Sequence, residues 1–269
     1  MSRTLSLGLI LVAIATGLGA AETPTKLEVV ARKRVAKSAP LVEEMEWKTA
    51  LDPAKTAVVV CDMWDDHWCK SAAVRCAELA KAAEPVLKAC RASGMTIIHC
   101  PSDCMGFYSD HPARKRMLQV TKSDPPPAKD LPNPPLPVDD SDGGCDDEKP
   151  ARSFRAWSRQ NAAISIAADK DYITDQGAEV YSLMVEKKLG TLLVMGVHTN
   201  MCVLNRTFAI KQMVKWGLEV YLIRDLTDAM YNPKMKPFVA HDKGTGLIIE
   251  FIEQYWCPTI TSKSLLVSK

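Results

Sequence analysis

From Thr56 onward the apolar positions fall into short unbroken runs separated by longer stretches of helical period. Residues 57–61, 95–99, 163–168, 191–196, 219–223 and 258–261 read as strands, the first being Ala57-Val58-Val59-Val60-Cys61. Runs without polar alternation suit strands covered on both faces, as in a parallel sheet. Between them, helical periodicity covers 72–93, 177–188, 200–216 and 244–256, with a short helix around 112–120. The stretch 200–216 takes its apolar face from Val203, Leu204, Phe208, Ile210, Met213 and Val214. Strands alternating with helices predict a Rossmann-like, three-layer α/β/α fold around a mostly parallel six-stranded sheet.

Two segments stand outside this alternation. Residues 22–55 mix short apolar stretches with many charges and read as an N-terminal extension, with a short strand or hairpin beginning at Leu27-Glu28-Val29-Val30. Residues 121–160 are rich in proline, aspartate and glycine, which break regular elements, and predict a long surface insertion in the domain 56–269. Structureless loops of this length commonly carry function, so a lid beside a site is one reading of the insertion.

Composition narrows the function classes. Of 269 residues, 47% are apolar and 25% charged, and the net charge of +2 comes from interspersed signs. No basic stripe is available to neutralise phosphates, which argues against a nucleic-acid partner. At the start of the chain Arg3 precedes an apolar run from Leu5 to Leu18 and the small residues Gly19, Ala20 and Ala21. That layout predicts a secretory signal peptide over 1–21, a periplasmic or secreted protein, and no membrane association after cleavage. In an oxidising compartment the nine cysteines allow disulfides, and an odd count leaves at least one thiol free. Cys61 and Cys90 lie in apolar patterns and read as core, whereas Cys69, Cys76, Cys104, Cys145 and Cys257 sit where bridges form easily.

Candidate chemistry concentrates where strands end, because ligands of open α/β sheets bind beyond the carboxyl ends of the strands. Asp62 closes the first unbroken run, and Cys202 opens the helix that follows Gly196-Val197-His198-Thr199-Asn200-Met201. A cysteine in the first turn of a helix faces free backbone N–H groups, an arrangement that favours the thiolate. A neighbouring carboxylate can exchange the proton. On position alone, Cys202 as a core residue with Asp62 as a turn cap is an equal alternative. Trp64, His67 and Trp68 crowd the loop after Asp62 and are candidate substrate contacts, as is Asn200. The acidic run from Asp139 to Asp147 lacks a complete cation-binding loop, and no metal site is expected there.

From Thr56 to about Leu266, the chain resembles the cysteine-hydrolase (isochorismatase-like) family. Three stretches carry the resemblance: Gly196-Val197-His198-Thr199-Asn200-Met201-Cys202-Val203, Val59-Val60-Cys61-Asp62-Met63-Trp64, and Asp225-Leu226-Thr227-Asp228-Ala229. The resemblance implies a hydrolase that cleaves a C–N bond of a small amide- or ureide-like molecule, without a cofactor, through a thioester. Cys202 would be the nucleophile, Asp62 the proton carrier, and the backbone N–H groups of His198 and Cys202 an oxyanion hole after a cis Val197–His198 peptide. It also implies a homo-oligomer. The family's lysine falls on Asp169 in a gapless reading and on Lys170 with a one-residue shift, and Lys170 is the candidate third catalytic residue. The alternative function is a catalytically silent binding or structural protein on the same fold, lacking that lysine.

Overall fold

In the computed structural model, which describes residues 26–38 and 41–266, one eight-stranded sheet runs through the molecule. The predicted signal peptide lies outside the described residues. Its strands are β1 (Leu27–Ser38), β2 (Leu41–Leu51), β3 (Thr56–Cys61), β4 (Thr96–Cys100), β5 (Tyr172–Ile173), β6 (Thr191–Val197), β7 (Glu219–Asp228) and β8 (Thr259–Ile260). The spatial order is β2-β1-β8-β7-β6-β3-β4-β5. The six strands from β3 to β8 pair in parallel, while β1 and β2 form an antiparallel hairpin that joins β8 through the pair Arg32 and Thr259. The sheet thus has eight strands and not the expected six, because the N-terminal extension supplies two. Val29 and Ala31 bury against the same face as β3, which gives the hairpin its reason to dock.

Counted among themselves, the parallel strands run in the order 3-2-1-4-5-6, and the direction of winding reverses between β3 and β6. That switch point opens a crevice at the carboxyl ends of the two strands. The strands alternate between two cores. Ala57, Val59, Leu192 and Val194 point to one, and Val58, Val60, Leu193 and Met195 to the other. The first core is covered by α3 (Gly177–Glu186), α4 (Cys202–Asn205), α5 (Ile210–Lys215) and α6 (His241–Tyr255), the second by α1 (Lys70–Ser93). A short α2 (Pro112–Leu118) follows β4. The result is a three-layer α/β arrangement. Among the described residues no helix is long and apolar enough to cross a membrane.

Two predicted elements differ. Residues 163–168 form turns rather than a strand, because side chains take their backbone donors: Asn161 Oδ1 accepts from Ala163 N–H, Glu84 from Ser165 N–H, and Asp171 from Ala167 N–H. The third parallel strand is β5, further along the chain. The single helix expected over 200–216 is α4 and α5, separated at Arg206, whose backbone is extended (φ −61°, ψ 150°). Phe208 and Ala209 in the break are fully buried. At Gly196 the backbone takes φ +118°, and a Cβ there would stand 2.0 Å from the carbonyl oxygen of Cys61, so only glycine lets β6 approach β3 beside the crevice.

The long insertion holds no helix or strand from 119 to 171 but is tied to the body. Lys129 N–H donates to Lys215 O (2.9 Å), Asp139 N–H donates to Lys236 O (2.9 Å), and a disulfide joins Cys145 to Cys69. Cys76, Cys104 and Cys257, read as candidates for bridging, are buried free thiols. Cys69 is the N-cap of α1 yet offers its helix no side-chain acceptor. Asp147 does so from across the disulfide, accepting from Lys70 N–H and Ser71 N–H at 2.8 Å each. Caps of this kind contribute about 1 kcal/mol. Asp147→Ala is expected to lower unfolding stability by about 1 kcal/mol in urea titrations. An unchanged midpoint would remove the cap from the account.

Candidate active site

Asp62 follows β3 with a left-handed backbone (φ +48°) and is wholly buried. One carboxylate oxygen accepts from Ser102 N–H, just beyond β4, at 2.7 Å, and the other from Arg206 Nε at 3.1 Å. The Cys202 thiol lies near enough to this pair for both charges to act on it, and it lines one cavity with Arg206. Three chain segments therefore meet at the switch point: the end of β3, the turn after β4, and α4 with its C-cap. Arg206 is four residues after Cys202, and that spacing returns a side chain to the same face of a helical turn.

The charges order themselves by burial. Burial raises the Asp62 carboxyl above its ordinary value, opposed by Arg206, by Ser102 and by Cys202. Burial also pushes the Cys202 thiol well up, and the Asp62 charge adds to this while Arg206 opposes it. Burial disfavours the Arg206 cation, but Asp62 and Cys202 more than offset that and hold it protonated. Burial thus favours the neutral thiol, while Arg206 favours the ionised form of Asp62. The thiolate that a helix start favours is opposed here, because α4 has only four residues and both burial and the Asp62 charge raise the thiol.

Lys170 is not in this centre. With Asp169 it lines a separate cavity beside Arg91, Thr96, Arg116 and Tyr172, at the starts of β4 and β5. The physical reason is the position of β5. Both residues precede that strand and so lie at its amino end, whereas Asp62 and Cys202 lie at carboxyl ends. Arg206 stands as the cation at Asp62, a residue that the sequence reading missed although its spacing from Cys202 was visible.

The remaining candidates divide. Trp64 is buried, donates from Nε1 to Ser102 O (3.1 Å), and packs in one cluster with Cys202. Trp157, from the insertion, stacks on it at 4.0 Å. His67 lies parallel to Trp157 at 5.7 Å and edge-on to His198 at 4.9 Å. Burial lowers His67 to about 4 and His198 to about 3, so both rings are neutral near pH 7. Trp68 packs with Met201, Met230 and the disulfide. Asn200 lines a cavity of about 390 Å³ with Cys202, Arg206 and Asp140. Its amide is already engaged, donating to Asp140 Oδ2 (2.8 Å) and Met230 O (3.0 Å) and accepting from Met230 N–H (2.9 Å). Its visible work is to fix the loop before Cys202 against the insertion.

The peptide between Val197 and His198 is cis. Thr199 N–H donates to Asp228 O, and Met201 and Val203 N–H donate to His198 O. Asp228 closes β7 and binds Arg75 Nε and His241 Nε2, each at 2.8 Å, while Arg75 also reaches Asp146 at 2.9 Å. That network joins α1, β7, α6 and the insertion behind the loop. Among the described residues, one group of possible metal ligands lies close enough together, Cys69, Cys145 and Asp147, and its two sulfurs are joined in the disulfide.

No protein-family model matches the chain, and no curated protein matches it. Solved structures do. A cysteine hydrolase from Pseudomonas syringae pv. phaseolicola 1448A aligns at 16% identity and TM-score 0.49, over 80% of this chain and 92% of that one. An isochorismatase family protein from Burkholderia thailandensis aligns at 13% identity and TM-score 0.44, over 79% and 96%.

Proposed function

We propose that the chain is a cysteine hydrolase of the isochorismatase-like kind that cleaves the C–N bond of a small amide or ureide. The observation that carries this reading is the buried Asp62 carboxylate, bonded by Arg206, set beside the Cys202 thiol at the switch point of the sheet. The sequence resemblance around Cys202 and Asp62 supports it.

As Cys202 Sγ attacks the carbonyl carbon, its proton passes to Asp62 and the carbonyl electrons move to oxygen. In this reading, as the resemblance implies, the backbone N–H groups of His198 and Cys202 receive that oxyanion, a role worth a few kcal/mol in acyl transfer. Asp62 then gives its proton to the departing nitrogen, the C–N bond breaks, and a thioester to Cys202 remains. Water, deprotonated by Asp62, attacks the thioester and releases the acid and the thiol. Arg206 cannot serve as an acid near neutral pH, since a guanidinium does not give up its proton. Its part is electrostatic: it steadies the negative charge that moves between carboxylate and sulfur. A single carboxylate therefore carries every proton.

The test is ammonia release from a panel of small amides and ureides, with acid-quenched enzyme examined by mass spectrometry. An acyl adduct on Cys202, lost in Cys202→Ser, and a rate at least about 100-fold lower in Asp62→Asn are expected. Turnover that survives in Cys202→Ser would overturn the mechanism. A well-folded chain with no turnover and an unreactive Cys202 would favour the binding-protein alternative.

A further inference from the structure

A second cavity of about 390 Å³ lies between the loop after β3 and the insertion. Its lining includes His67, Trp68, Ala151, Arg152, Met201 and Met230. Met201 lines both cavities and immediately precedes Cys202, which lines the first, so the second space lies one residue from the thiol. The disulfide Cys69–Cys145 packs against Trp68, Met201 and Met230 and joins the two walls covalently.

The polar groups at this cavity have a definite sense. His67 is neutral and its Nδ1 accepts from Cys69 N–H at 3.2 Å, so the ring proton is on Nε2, which is a donor. Beside His67, the neighbouring rings of His198 and Trp157 each carry a buried nitrogen without a hydrogen-bond partner, Nε2 and Nε1 respectively. Buried polar atoms are nearly always paired, and leaving one unpaired costs about 1–3 kcal/mol. Indole Nε1 can only donate, so Trp157 and His67 together leave two ring donors beside the cavity in want of an acceptor. Asp142, the acidic member of the lining, already accepts from Gly144 N–H and Asn232 Nδ2, both at 2.8 Å. Arg152 supplies the one cation among the lining residues.

We infer that this cavity is a substrate subsite for an apolar body ending in a carboxylate, held away from the scissile bond. The body packs on Trp68, Met201 and Met230, and the carboxylate accepts from His67 and faces Arg152. The inference rests on Cys202 as the nucleophile and assigns the part of the substrate that the reaction leaves intact.

Two alkylating reagents separate the subsite from the nucleophile: chloroacetamide, and N-(4-carboxybenzyl)chloroacetamide, which carries the tail. In both, sulfur displaces chloride and a C–S bond forms at Cys202. The tailed reagent is expected to react at least about 10-fold faster relative to chloroacetamide and to saturate, as one tenfold step in affinity would give. In Ala151→Trp, which fills the cavity, and in His67→Phe, which keeps the ring and removes the donor, that ratio is expected to fall toward one. A ratio near one in the wild type, or the same preference in both variants, would overturn the subsite while leaving the nucleophile intact. If neither reagent modifies Cys202, the hydrolase reading fails, and the cavity is judged by calorimetric binding of 4-methylbenzoate. Binding lost in Ala151→Trp would support the site, and no binding would dismiss it.

Discussion

Arg206→Ala is expected to reduce turnover, or the rate of Cys202 alkylation by iodoacetamide, by about 100-fold at pH 7, the scale on which a positioned general base acts. Asp62 is buried with its carboxyl already raised, and Arg206 is the cation that opposes the rise. A carboxylate works as a base only when ionised, so activity falls as pH drops through its pKa in the folded protein. The acidic limb of the wild-type profile should therefore lie above the usual carboxylate range, and in Arg206→Ala it should move further up. Arg206→Lys keeps the charge without the Nε–H bond and should recover part of the loss. His67 and His198 stay neutral above about pH 4 and 3, so neither produces a limb between pH 5 and 8. A profile that falls uniformly at all pH values in Arg206→Ala would show Arg206 acting through packing alone.

The second large effect concerns the clamp on the insertion. The Cys69–Cys145 bridge spans 76 residues of chain. Closing a loop of that size in the unfolded chain restricts it by about 4 kcal/mol on chain-entropy grounds. Cys69→Ala with Cys145→Ala, or reduction by dithiothreitol, is expected to lower the melting temperature by roughly 10 °C, since each kcal/mol moves a chain of this size by about 2–4 °C. The reduced protein should also lose the tail preference at Cys202, because the bridge holds one wall of the second cavity to the other. A change in melting temperature under about 2 °C would show that the remaining contacts anchor the insertion without it.

Much of the architecture was legible in the hydrophobic pattern, for a physical reason. The runs over β3, β4, β6 and β7 are uninterrupted because each strand has a core on both sides, and a strand covered on both faces leaves no alternation to confuse with a helix. Gly196, Cys202 and Asp62 were legible too, since a strand end and the loop or helix start that follows it are local features. Where local patterns and distant partners compete, the sequence misleads. Ile164 and Ile166 alternate as a strand would, but the remote Glu84 takes the Ser165 N–H and Asp171, nearer in the chain, takes that of Ala167. The two-residue β5 has too short a signature to displace that reading.

The cation at Asp62 shows the same division most clearly. The family resemblance pointed to Lys170, and the register of a single short strand decided whether it reached the site. Because β5 begins at Tyr172, Lys170 lies at the amino end of the sheet and Arg206 meets Asp62 instead. Sequence alone determined that Cys202 and Asp62 stand at a helix start and a strand end, and the kind of sheet that presents them, since those follow from local order and burial, while the roles proposed for them rest on the resemblance. Only the tertiary structure decided which cation completes the centre, that the extension joins the sheet as two strands, and that the insertion lines the site through Asp140, Trp157 and the Cys145 bridge. Those outcomes depend on contacts between residues dozens to well over a hundred positions apart, which no local periodicity encodes.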